Sequence, residues 1–489
     1  MSKPKFYNRE NERRSLSQML KSDRSELIII YGRRGVGKSA LLEQALASNG
    51  EAYMFYRATR RTLSLQMEEL ANTVREAFPD AFLPQAFTDF SVFLNFLSHR
   101  AETHEGPVIA VIDELPYLAD ADPGLLTVIQ HWWDANKRRP NIKLFFAGSY
   151  VAFMERKVLD INAPLYNRRT GQMMLLPMDY AEAALFFPQY TPQEKMEVYA
   201  ILGGLPSYLE QFNPVATIEE NVKNTVLRQN TYLSEEPDWL LLEDLRKDTI
   251  YGSILRAIAG GERKPSDIAR AIGKNAAQDV NGFLETLKDL KLVVRQIPIT
   301  ESRSSRSRNS LYWIDDQYID FWYRFVDPSR SLIARGIGER LWDNVIAPSL
   351  QEYVSKPTFE RACREYLWRA LMAGVLPDSL SFTDVGTWWG AKDREIDVVA
   401  LNAEGKVALI GECKWRETPM DVSDYADMLT DIKLAGDDLG LSPNDSGSEI
   451  NPWLIMFSRS GFTPRLEELA NSQNPGRLLL VTLDQMYEV

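Results

Sequence analysis

The string Gly32-Arg33-Arg34-Gly35-Val36-Gly37-Lys38-Ser39 limits the folds open to this chain more than any other stretch of it. It fits GxxxxGK(S/T), and its flanks fit as well: LIIIY before it reads as a buried strand and SALLEQALA after it as a helix. Glycine reaches backbone angles that let successive N–H groups close around phosphate oxygens, and the helix N-terminus adds a favourable dipole. Lys38 is expected to reach the β- and γ-phosphates of ATP, and Ser39 to hold Mg²⁺ through its hydroxyl. A glycine turn with an incidental lysine would not need both flanking elements.

A second apolar run, VIAVI, ends in Asp113 and Glu114. Ligands of parallel sheets gather at the C-terminal ends of the strands. Asp113 is therefore the candidate for the magnesium shell, and Glu114 for orienting or deprotonating the attacking water. A strand is expected between the loop strand and the Asp113 strand. Ser149 closes the next strand, LFFAGSY, where a polar residue can touch the water or the γ-phosphate; glycine-serine is also an ordinary strand-ending turn. Arg168 and Arg169, in LYNRRTG, are candidates to neutralise transition-state charge, in cis or from a neighbouring subunit.

Around these motifs the first part alternates strands, at 27–31, 52–59, 108–112, 143–147 and 173–176, with amphipathic segments, which predicts a parallel sheet covered on both faces. Residues from 180 to 245 have helical spacing. From 250 to 315 the pattern predicts three helices and a hairpin, with Ser266 a cap for the second helix. At 489 residues the chain needs several domains. No apolar run approaches the ~20 residues that cross a bilayer, the N-terminus lacks a signal-peptide core, and the cysteines are only Cys363 and Cys413. These features predict a cytoplasmic protein with no membrane segment and no disulfide framework.

The formal net charge is −12. From Val326 onward there are 26 acids and 16 bases, which leaves −10 in that third of the chain. Such a surface repels nucleic acid unless bases are gathered locally.

FYNRE (6–10), YGRRGVGKS, VIDELPYL, GSYVAFM, PLYNRRTG and GGLPSYL (203–209) together resemble the prokaryotic archaeal-type ATPases of the STAND and AAA-related P-loop class. The resemblance spans the chain. It implies an α/β P-loop core over 1–178, a helical lid over 179–245, a winged helix over 246–325 and a restriction-endonuclease-like α/β domain over 326–489. It also implies that Asn8 and Arg9 lie near the base or ribose, and that Gly204, Pro206 and Tyr208 belong to a lid close to the nucleotide. Leu41 joins Gly32 to Ser39 among the expected nucleotide contacts.

The winged-helix region, 246–325, ends in FWYRF, whose Phe321, Trp322 and Phe325 are expected in the core. Its proposed wing, 296–309, carries Arg303, Arg306 and Arg308 beside Lys291 and Arg295. That is the best local basic patch for DNA or RNA; it reads equally as a solvated hairpin tip, or as part of a protein-binding module. Further on, 396–401 and 406–415 read as a hairpin that sets Asp397 nearly opposite Glu412, with Lys414 on the same face as Glu412. Two carboxylates there could grip one Mg²⁺ or Mn²⁺, with Lys414 beside its water. Asp-x14-Glu-x-Lys is similar to the PD-(D/E)xK nuclease core, and the resemblance adds a helix glutamate, Glu360, with Glu365 a weaker substitute. A surface hairpin with one salt bridge reads the same residues without chemistry.

Acids at 417, 421, 424, 427, 431, 437 and 438 follow that hairpin. They are a solvated helix face, an autoinhibitory element or a docking surface for a basic partner. Two functions follow: an ATP-controlled, metal-dependent nucleic-acid hydrolase, or a STAND-type switch that binds DNA or protein and cuts nothing. A homo-oligomeric ring ATPase is a third.

Overall fold

The computed structural model describes residues 6–80, 83–138, 141–245, 249–301, 307, 309–390, 394–441, 452–472 and 477–489. The chain divides into two compact units. One comprises Met1–Pro177 with Leu205–Ser207 and Asp289–Lys291; the other comprises Met178–Gly204, Tyr208–Lys288 and Leu292–Val489.

The first unit is built on five parallel strands: β1 (Glu26–Tyr31), β2 (Tyr53–Arg57), β3 (Val108–Asp113), β4 (Ile142–Gly148) and β5 (Gly171–Met174). Their order is β2-β3-β4-β1-β5. β4 lies between the loop strand β1 and the Asp113 strand β3, as expected. β1, β3 and β4 are buried along their whole length, which explains why they read as unbroken apolar runs. One face is filled by Leu70, Val74, Phe93, Leu97, Ile129 and Trp133 from the helices that cross it.

In the second unit, helices Thr249–Ala259, Pro265–Ala271 and Gln278–Asp289 precede an antiparallel pair, β6 (Val293–Gln296) and β7 (Leu311–Ile314). The capping role expected of Ser266 is not what forms: Pro265 takes the first helical position, where its fixed φ suits the helix, and Lys264 stands at the cap without a side-chain bond. Arg303, Arg306 and Arg308 of the expected wing lie outside the described residues. Phe321, Trp322 and Phe325 are buried, as expected.

The helix Gln317–Phe321 carries a buried acid, Asp320, facing Arg263, Tyr353, Arg324 and Asp316. Burial outweighs the two arginines and lifts its carboxyl from 3.8 to about 6. Below pH 3.8 the group is protonated in folded and unfolded chains alike. Between 3.8 and about 6 only the folded chain keeps the proton, so stability falls as pH rises and the fall is complete above about 6. Asp320→Asn should remove this dependence. Urea midpoints should show the variant gaining up to about 3 kcal/mol on the wild type between about pH 4 and pH 7. A gap that stays constant with pH would contradict this.

The C-terminal sheet is mixed, in the order β12-β11-β10-β9-β8. β8 (Asp384–Trp389), β9 (Glu395–Leu401) and β10 (Val407–Lys414) run antiparallel in turn, and β11 (Trp453–Ser458) and β12 (Leu478–Thr482) continue parallel to β10. Helix Glu360–Ala373 precedes β8, and helix Val422–Ala435 joins β10 to β11.

Candidate functional site

The phosphate loop leaves β1 and enters helix Lys38–Asn49. Gly35 and Gly37 take positive φ, +79° and +96°, which an L side chain rarely adopts. A Cβ on Gly35 would also lie 2.1 Å from Ser207 Oγ, and the Ser207 N–H donates to the Gly35 carbonyl at 3.3 Å. The turn therefore needs glycine for both its angle and its neighbour.

Lys38 is buried, and its Nζ donates to the carbonyls of Gly32 at 3.0 Å and Arg33 at 3.1 Å, so it lies along the loop it serves. Burial pulls its pKa down, against the opposing fields of Glu114 and Asp113. Ser39 Oγ donates to Asp113 Oδ2 at 2.6 Å, which leaves the serine oxygen's lone pairs for a cation. This pair fits magnesium. Asp113 Oδ1 accepts the Glu114 N–H at 3.0 Å.

Glu114 sits in the left-handed region at φ 57°, an unusual geometry for a non-glycine residue, and this turns the chain sharply off β3. Its Oε2 accepts from the Ser149 N–H at 3.1 Å and from Ser149 Oγ at 2.8 Å. Ser149 thus holds the carboxylate of Glu114, a partner that the sequence reading did not anticipate.

Arg9 is buried and donates to the Leu176 carbonyl at 2.6 Å and the Val36 carbonyl at 3.4 Å, bracing the loop; Asn8 and Arg9 both have positive φ. Pro206 lies beside Gly37, 3.9 Å from a Cβ built there. Val36 and Leu41 are core side chains. Arg33 is half-buried and Arg34 exposed. Arg168 is engaged with Asp134 at 2.9 Å, and Arg169 lies over the Tyr166 ring at 4.8 Å, so both turn toward neighbours other than the phosphate loop.

The second constellation belongs to β9, β10 and helix Glu360–Ala373. Register shifts by one residue between Val407 and Leu409, after which Gly411 pairs with Val398. Carried one step beyond that last pair, the register sets Glu412 toward Asp397. Asp397 Oδ2 also accepts the Cys413 N–H at 2.9 Å. Cys413 points to the opposite, buried face, and Lys414 is ion-paired with Glu412.

Glu360 is buried; desolvation, then the nearness of Asp397, push its carboxyl up to about 8. Asp397 and Glu412 are also raised, each chiefly by burial. Lys356, not singled out from the sequence, pairs with Glu395 and lies 3.8 Å from Glu360; Arg364 donates to the Asp397 carbonyl at 2.9 Å. Glu365, the weaker candidate, is taken up by Arg361 at 3.1 Å. Among the described residues no group of three or more His, Cys, Asp or Glu is arranged to hold a metal ion. The carboxylates converge with cations between them, and a divalent ion would have to displace part of that pairing.

A family model described as an ATPase domain predominantly from Archaea matches residues 6–212. An uncharacterized protein of Methanocaldococcus jannaschii is 30% identical over 434 residues, covering 88% of this chain and 92% of that one. The chain belongs to the archaeal-type ATPase family. A second family model, described as archaeal and bacterial proteins of unknown function, matches 322–425. The Walker-type ATPase of Pyrococcus abyssi is 23% identical and matches with a TM-score of 0.50, covering 66% of this chain and 99% of that one. As an archaeal-type ATPase the protein carries a nucleotide-binding P-loop domain on a five-stranded parallel sheet. No helix among its described residues is long and apolar enough to cross a membrane.

Proposed function

We propose that this archaeal-type ATPase binds and hydrolyses Mg-ATP at the loop, and that nucleotide state controls a C-terminal metal-dependent nuclease-like domain acting on nucleic acid. Lys38 and the loop amides bind the triphosphate. Ser39 and Asp113 would hold the magnesium, which supplies charge neutralisation at the phosphates. Glu114, oriented by Ser149, takes the proton of the attacking water.

The observation that carries the second half is the β9–β10 register. It sets Asp397 against Glu412 on one face with Lys414, opposite a buried glutamate on the preceding helix. In the PD-(D/E)xK arrangement Asp397 and Glu412 would hold a divalent ion, which would supply charge neutralisation at the phosphate, with Lys414 beside it. Part of the acidic run after β10 has a structural use that lessens its bearing on substrate. Asp421 and Asp424 form a capping box for helix Val422–Ala435, and Arg416 pairs with Asp424 at 2.6 Å.

One observation favours the rival switch that cuts nothing. The third helix of the proposed winged helix, Gln278–Asp289, carries Asp279, Glu285 and Asp289 against Lys288. A helix with that charge is poorly suited to a major groove.

Calorimetry with Mg-ATP tests the nucleotide half. Wild type should bind, and Lys38→Ala should weaken binding at least about tenfold. Incubation with DNA and RNA, in Mg²⁺ or Mn²⁺ and with or without ATP, tests the other. Cleavage of neither under any of these conditions would leave the switch standing.

A further inference from the structure

Arg57 is the last residue of β2 and stands in register beside Asp113 of β3. Its Nε donates to Asp113 Oδ2 at 3.2 Å, the oxygen that also accepts from Ser39 Oγ. The Asp113 side chain is 2% exposed, whereas that of Arg57 is 57% exposed, with Glu43 at 4.0 Å. A buried carboxylate thus takes its countercharge from an arginine free to swing into water or toward Glu43.

Asp113 Oδ2 is also the oxygen nearest the serine that would hold magnesium. One carboxylate oxygen offers about two lone-pair directions, and Ser39 already uses one. A guanidinium on the other stands within a few ångströms of any hydrated divalent ion gathered there, and two such cations repel strongly where water is partly excluded. Of the β3 residues that β2 pairs with, Asp113 alone is charged, so an ion pair between these strands forms only at this position. This one sits on the residue that the metal needs.

We propose that Arg57 is a positioning residue that competes with magnesium for Asp113. It neutralises the buried carboxylate until the ion arrives with the triphosphate, and is then displaced toward Glu43 and solvent. Arg57 thereby sets the magnesium concentration at which the site loads. The inference rests on the nucleotide-site reading above.

The test is ATP binding by the full chain, followed by calorimetry as free magnesium is raised from EDTA-chelated to millimolar levels. Arg57→Gln should lower the half-saturating magnesium concentration about three- to tenfold, while ATP affinity in EDTA stays within about twofold of wild type. A thermal-stability change with an unmoved magnesium midpoint would mark the pair as structural and overturn the proposal. A raised midpoint, or lost ATP binding in EDTA, would overturn it as well. Wild type that binds no ATP at any magnesium level would instead sink the nucleotide-site reading beneath it.

Discussion

Replacing Glu114 by glutamine is expected to slow ATP turnover by about two to four orders of magnitude while leaving Mg-ATP binding close to wild type. The asymmetry follows from the geometry. Glu114 stands after β3, outside the loop that wraps the phosphates; its carboxylate is held by Ser149 through two hydrogen bonds. Glutamine keeps the shape and one acceptor oxygen but cannot take a proton from water. Single-turnover hydrolysis alongside equilibrium nucleotide binding separates the two effects. A variant that hydrolyses at wild-type rate would remove Glu114 from the chemistry, and one that loses ATP binding equally would make it a structural residue.

Lys414→Ala should abolish nucleic-acid cleavage, a loss of at least about a hundredfold, without changing ATP hydrolysis. Lys414 lies on the open face of β10 with Glu412; burial alone would lower its pKa, but Glu412, with Asp397 and Asp424, outweighs burial and raises it above the usual lysine value, so the ammonium stays charged. Removing it takes away a cation beside the proposed metal-binding carboxylates and leaves Glu412 without its ion-pair partner. Gel assays of DNA and RNA cleavage, run beside a phosphate-release assay on the same preparation, check both parts. Cleavage that survives in Lys414→Ala would assign the activity elsewhere, and a parallel fall in ATP turnover would point to misfolding.

Much of the nucleotide site was legible because its parts are local. Gly32 to Ser39 and the VIAVIDE run each carry their meaning within a dozen residues, and burial on both sheet faces makes the strands continuous apolar strings. The hairpin was legible for a similar reason, since its turn is short. What could not be read depends on pairing across distance. Arg57 meets Asp113 only because β2 and β3 lie side by side, and nothing near residue 57 marks it. Lys356 reaches Glu395 across 39 residues for the same reason. Ser149 and Glu114 were each singled out, but their pairing was not, because the left-handed turn at Glu114 that brings them together leaves no trace in residue type. Ser266 shows the opposite failure, a good capping residue displaced by a proline with a stronger backbone preference.

The single unpaired residue in β10 has a wider meaning. Before it, Val407 pairs with Leu401; had that alignment continued, Asp397 would face Gly411, which has no side chain to offer. Ala408 acts as a spacer that moves the return strand along by one step, bringing an acid opposite an acid. Were Ala408 to pair with Ala400 instead, every later residue of β10 would slip by one, turning Cys413 outward and driving Glu412 and Lys414 into the sheet's buried side. The face proposed to be reactive and the folded interior are thus written on alternate letters of one short segment, and neither can be edited alone.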